Sequence, residues 1–227
     1  MLFLALETST RNCSVAIFQG EQILSIKEEH SDQYIHSEKL HLFIEEVLAQ
    51  AKINASDLEG IAVGSGPGSY TGLRIGVASA KALAYALKIP IISAKGTELM
   101  VEQVLAENDL PEESQLLPMI DARRMEVYSA CFSIKDRSWT EVKPEIIDEN
   151  SYQEFEGPLY YFGDGAEKCK PVLVPAKFHY LELPFPSVKG FAKIGLQRFE
   201  SGNFEDPAYF EPFYLKAFQA LKPKRLI

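Results

Sequence analysis

The stretch GSGPGSYTGLR, residues 64–74, sits between a short apolar run and a long helical pattern. Gly64, Gly66, Gly68 and Gly72 permit positive φ angles and close backbone approach. A helix that starts here aims its first N–H groups into the loop, which is the physics of an anion site. Gly66, Gly68 and Ser69 are therefore candidate phosphate contacts. The loop lacks the Gly-Lys-Ser/Thr ending of a Walker A sequence. The other reading is a tight turn in which Pro67 and the glycines set geometry alone.

The helix after the loop carries Gly72, Gly76, Ala80 and Ala84 at four-residue intervals, a ridge almost without side chains. Glycine inside a helix costs about 1 kcal/mol relative to alanine, so something packs close to this ridge. Two occupants are open: the chain's own sheet or first helix, or the helix of a partner. Of the histidines, His36 and His41 are five apart and do not share a helical face as an i, i+4 pair does. No HExxH pair occurs, so His36 reads as a cap or a hydrogen-bonding residue at a helix start. Glu7 and Asp121 stand at strand ends, where α/β sites lie, and structural hydrogen bonding is the expected role of each. No Ser-His-Asp or Cys-His set follows from the spacing. Cys13, Cys131 and Cys169 are scattered, with no CxxC spacing, and suggest neither a disulfide framework nor a zinc site.

These residues need elements to hold them. Phe3 to Leu6 reads as a strand buried on both faces, Cys13 to Phe18 as a second, and Ile23 to Lys27 as a third after a hairpin at Gln19–Glu21. A helix from His36 to Ala51 places Leu40, Phe43, Ile44, Val47, Leu48 and Ala51 on one stripe. Gly60 to Gly64 is a strand, Tyr70 to Leu87 a helix, Ile91 to Ser93 a strand and Thr97 to Glu107 a helix. The order β-β-β-α-β-α matches ribonuclease H-like and actin-like domains by analogy. Residues 1–107 form the expected first lobe, Asn108 to Ser114 a linker, and 108–227 a smaller, looser lobe. That lobe contains strands at Leu116–Ile120 and Glu126–Ser133, a helix at Val188–Glu200, and a last segment, EPFYLKAF, that docks on the body.

At 46% hydrophobic and 24% charged, 227 residues suit an ordinary globular protein. The opening MLFLALETST has no basic n-region and breaks at Glu7. No later run approaches about 18 apolar residues, so a cytoplasmic protein without membrane contact is expected. A net charge of −9 opposes broad contact with nucleic acid. The tail cations Lys216, Lys222, Lys224 and Arg225 are either a local RNA contact or a solvated tail.

Four blocks in order, LALETSTRNCSVAIF, AVGSGPGSYTGLRIGVASAKALAYAL, MIDARRMEVYSA and EPFYLKA, resemble the TsaB (YeaZ) family. The first two are shared with its catalytic paralogue TsaD, and DAR-x-x-EVY separates the two. The resemblance implies an actin-like ATPase (ASKHA) fold in two lobes with a reduced second lobe. It implies a non-catalytic scaffold or activator that binds a TsaD-like subunit during threonylcarbamoylation of adenosine 37 in tRNAs reading ANN codons. A TsaE-like ATPase belongs to the larger complex, and tRNA is met mainly through the partner. By the same resemblance the first two helices supply the interface, at His36, Leu40, Tyr70, Leu73, Arg74, Gly76, Val77 and Ala80, with a homodimer through the same face. Where TsaD carries E-T-S-C-D-E-T, this chain has Glu7-Thr8-Ser9-Thr10-Arg11-Asn12-Cys13. Where TsaD carries H-x-E-x-H, it has Gly96-Thr97-Glu98-Leu99-Met100. Glycine offers no ligand atom and a thioether is a poor one for a hard or borderline cation. No cofactor or metal is therefore expected, and a metallopeptidase fails on the same ground. The rival reading is a small actin-like ATP-dependent phosphotransferase.

Overall fold

The computed structural model describes residues 1–32, 35–183 and 185–216. Leu2–Glu7 forms β1 at the centre of a first sheet, and its apolar run is continuous because both faces are covered. Leu4 and Leu6 point to one side, where they meet α1 (His36–Ala51) and α2 (Tyr70–Leu87). Phe3 and Ala5 point to the other, against α3 (Gly96–Glu107) and α4 (Phe191–Glu200). Phe3 stacks on Phe18 at 4.9 Å between ring centroids. Each fully buried Phe or Leu of this layer contributes about 1.5–3 kcal/mol.

The sheet order is β3-β2-β1-β4-β5. The strands β2 (Asn12–Gln19) and β3 (Gln22–His30) continue β1 as an antiparallel meander. The strands β4 (Gly60–Gly66) and β5 (Ile91–Lys95) run parallel to it. α2 is the crossover between them, opened by Ser69, whose hydroxyl accepts from the Gly72 amide (3.3 Å).

The second sheet takes β6 (Gln115–Asp121) as its centre. Sequence periodicity suggests one strand over Glu126–Ser133, but the chain makes two, β7 (Glu126–Ser129) and β8 (Phe132–Ser133). Both pair antiparallel with β6 in the same register, Met119 opposite Ser129 and Leu116 opposite Phe132. The gap lies beside Pro118, which has no N–H to give to the ladder. β9 (Lys143–Ile146), β10 (Leu159–Phe162) and β11 (Phe178–Tyr180) complete the sheet. After α4 the chain returns to the first sheet, where the Phe213 amide donates to the Ser65 carbonyl (2.8 Å). Of the basic tail, Lys216 pairs with Glu126, while Lys222, Lys224 and Arg225 lie outside the described residues. No helix among the described residues is long and apolar enough to cross a membrane.

Candidate functional site

The glycine-rich turn closes on the loop after β1. Gly66 has φ +105°, a conformation that a side chain would strain, and it joins a cis Gly66–Pro67 bond. A Cβ on Gly68 would strike the Ser9 carbonyl. The Ser69 amide donates to that same carbonyl at 2.6 Å. The Ser69 N–H is thus committed to the chain itself, and Ser69 Oγ caps α2. Gly68 and Ser69 line a cleft of about 540 Å³, whereas Gly66 is buried beneath the turn.

Glu7 lies wholly buried at the end of β1, packed against Gly64 of β4. Its Oε1 accepts from the Ser9 amide at 2.5 Å. Burial, opposed by hydrogen bonds from Ser9 and Thr8, pushes its carboxyl up to about 7. His36, on the first turn of α1, is buried too. It is not the cap, a place held by Ile35. Its Nε2–H donates to the Thr10 carbonyl at 2.7 Å, and burial lowers its pKa. The small ridge of α2 sits on the same loop. The Thr8 hydroxyl donates to the Gly72 carbonyl (2.8 Å), and a Cβ on Gly76 would meet Thr8 Oγ1.

The expected interface therefore needs a correction. His36, Leu40, Leu73, Gly76, Val77 and Ala80 are buried within the chain, beneath the helix pair. Close packing on the ridge comes from Thr8 and α1, not from a second protein. Of the residues expected at the interface, Arg74 is exposed and Tyr70 half-buried. The outward faces present Ala78, Ala82 and Tyr85 on α2, and His41, Leu42 and Glu45 on α1.

Across the cleft stands the β6–β7 turn. Asp121 pairs with Lys168, and its amide donates to Asp164 Oδ1 at 2.9 Å. Burial pushes the Asp164 carboxyl up to about 6, the Asp121 amide opposing and the nearby Asp121 charge adding to the rise. Asp164 was not found from sequence, although Gly163-Asp164-Gly165 directly after the apolar Leu159–Phe162 strand is the signal for it. Arg11 pairs with Asp32 (3.2 Å), and Asn12 Nδ2 donates to Glu28 (2.7 Å) and to the Pro186 carbonyl (3.1 Å). On α3, Gly96 is packed against Ile120 and Met100 is fully buried beside Gly163. Met100 belongs to the apolar cluster on β6 and β10, whereas Gly96 lies beside Ile120, the Ser9 hydroxyl and Pro186.

Comparison with known proteins gives this arrangement a context. The family described as "TsaD: tRNA N6-adenosine threonylcarbamoyltransferase" matches residues 22–162. The Escherichia coli K12 protein named "tRNA threonylcarbamoyladenosine biosynthesis protein TsaB" is 29% identical over 226 residues, 95% of each chain. The chain belongs to the TsaB (YeaZ) family. YeaZ from Pseudomonas aeruginosa has the same fold, with a TM-score of 0.79 at 22% identity over 94% of this chain and 99% of that one. So does the activator of 2-hydroxyisocaproyl-CoA dehydratase from Clostridium difficile, solved with bound ADPNP. Its TM-score is 0.52 at 8% identity, covering 89% and 96%. This TsaB-family chain thus has the actin-like ATPase fold expected from its blocks. Its glycine-rich turn leans on the β1–β2 loop, and its α3 carries Gly96 and the buried Met100 where the resemblance to TsaD would call for metal ligands.

Proposed function

We propose that the chain is the non-catalytic subunit of the assembly that threonylcarbamoylates adenosine 37 of ANN-reading tRNAs, and that it works by binding a TsaD-like catalytic subunit. One observation carries this reading. Gly96 and Met100 stand where the resemblance to TsaD would place histidines; Met100 is fully buried in the apolar core and Gly96 has no side chain, so neither offers a good ligand. The docking surface is the outward side of the helix pair, with Arg74, Ala78, Ala82, Tyr85 and Leu42. Small side chains there let a partner's helices approach closely, flanked by a tyrosine that is 84% exposed. The same surface pairs two copies of the chain when the catalytic subunit is absent. A TsaE-like ATPase joins the larger complex in the cytoplasm, and tRNA is reached mainly through the catalytic subunit.

The test is reconstitution from purified components. Modification of tRNA should require this chain, and a TsaD-like protein should co-purify with it from native cells. Full activity of the catalytic subunit without it, or failure to co-purify, overturns the proposal. The rival phosphotransferase reading draws on the cleft between Gly68, Ser69, Asp121 and Asp164. It requires steady ATP turnover by the chain alone with a small acceptor.

A further inference from the structure

Beside the cleft already described lies a second cavity, also of about 540 Å³, between the start of α2, the β6–β7 turn and the returning chain end. Its walls carry Tyr70, Tyr128, Phe213 and Tyr214, with Arg123 and Lys216 at the edges. Arg123 lines both cavities and stands between them. We propose that this groove holds an unpaired nucleotide of RNA, its base against the tyrosine rings and its phosphate at Arg123. The inference deepens the proposed function and rests on its reading of RNA as the substrate.

Three observations converge on that ligand class. The first is the pairing of rings with cations. The Tyr70 and Tyr214 centroids are 4.9 Å apart and tilted by 34°. The Arg74 guanidinium lies 4.2 Å over the Tyr70 ring, and Lys216 Nζ is 5.6 Å from the Tyr128 centroid. Aromatic faces interleaved with cations are what an unstacked base and its backbone require.

The second is charge. The molecule is acidic overall, yet both carboxylates nearest the groove, Asp121 and Glu126, are engaged by Lys168 and Lys216. The exposed Arg123 makes no ion pair among the described residues, which leaves its guanidinium available to a phosphate. The third is backbone cost. Arg123 and its neighbour Arg124 have φ of +74° and +49°. Non-glycine residues held in that region cost on the order of 1–2 kcal/mol each. The turn therefore carries arginine where glycine would be easier. A free cation held in a strained turn over a tyrosine-lined groove is accounted for by a ligand, whereas packing alone favours glycine.

That strain supplies the test. Arg123→Gly removes the cation and relaxes the turn, so the variant should melt at or above the parent's temperature. Tyr214→Ala removes an accessible ring. Each variant is titrated with a short fluorescent single-stranded RNA at several salt concentrations, and the same preparations are assayed for capture of the catalytic subunit.

Tyr214→Ala should weaken RNA binding roughly five- to a hundredfold, the loss of one stacked base. Arg123→Gly should lower the slope of log affinity against log salt by about 0.7, one phosphate contact on a single strand. Duplex RNA should compete poorly, because its bases are already stacked. No binding by the parent chain at low salt overturns the proposal, as do variants that bind like the parent or duplex RNA that competes equally. Groove variants that lose the catalytic subunit but keep RNA show that the groove is a protein surface, which also overturns it. A chain that activates the catalytic subunit while its RNA binding ignores the groove sinks this inference and leaves the proposed function standing. RNA binding that depends on the groove, in a chain that neither captures nor activates, does the reverse.

Discussion

Glu7 and His36 are both buried against the loop at Thr8–Thr10, and they titrate in opposite senses. The Glu7 pKa is raised from 4.5 to about 7, so the native state holds its proton more tightly than the unfolded chain. Its contribution to stability is full below pH 4.5 and is lost as pH rises through 7. The His36 pKa is lowered from 6.5, so its contribution is full above 6.5 and is lost as pH falls through the lowered value. Replacing Glu7 by Gln should remove its share of the decline, which is the whole of it between about pH 6 and 7, above the Asp164 range. Melting temperature in that variant should then reflect the rise from His36 set against the remaining decline from Asp164, whose carboxyl is also raised, to about 6. A decline that persists unchanged between about pH 6 and 7 in Glu7→Gln, measured by thermal scans, means that another group is responsible. None of this titration was visible in the residue types. The sequence placed an acid at a strand end, and only the covering by β4 and its Gly64 removes the water that would keep Glu7 ionised.

Among the elements, α2 decides most of the molecule's behaviour, because both of its sides are built from small residues. Gly72, Gly76, Ala80 and Ala84 face inward, while Ala78 and Ala82 face out. Spacing alone cannot separate the two ridges, since both repeat every four residues. What distinguishes the inward one is the β1–β2 loop that lies on it, with the Thr8 hydroxyl bonded to the Gly72 carbonyl. Gly76→Leu drives a side chain into Thr8 and should destabilise the fold by about 1–3 kcal/mol or more, read as a lowered melting temperature. Ala82→Arg on the outward side should leave stability within about 0.5 kcal/mol. It should nevertheless weaken capture of the catalytic subunit at least tenfold, about 1.4 kcal/mol. If instead Gly76→Leu melts like the parent, the close packing described for this ridge is wrong. If Ala82→Arg binds like the parent, the docking face lies elsewhere.

At the scale of the whole molecule, the chain combines an actin-like frame with an α3 that carries Gly96 and the buried Met100, and a turn committed to its own backbone. The isolated chain should neither hydrolyse ATP appreciably nor modify tRNA from threonylcarbamoyl-AMP. Adding the catalytic subunit and its ATPase partner should restore modification. Modification by the chain alone would show that the division of labour is misread.

The sequence by itself determined the element order of the first sheet and the helices α1 to α3, because their periodicity is local and the glycines between them are short-range signals. It also determined the family, through blocks that stay in order along the chain. The break at Pro118, the inward turn of the glycine ridge, the depth of Glu7 and the meeting of Tyr70, Arg123 and Tyr214 were decided only by tertiary structure. Each depends on residues far apart in sequence whose proximity is set by which sheet face a helix covers, and no local pattern records that choice. The second sheet was the least legible, since its strands are short and pair across long loops, so their register comes from partners rather than from periodicity.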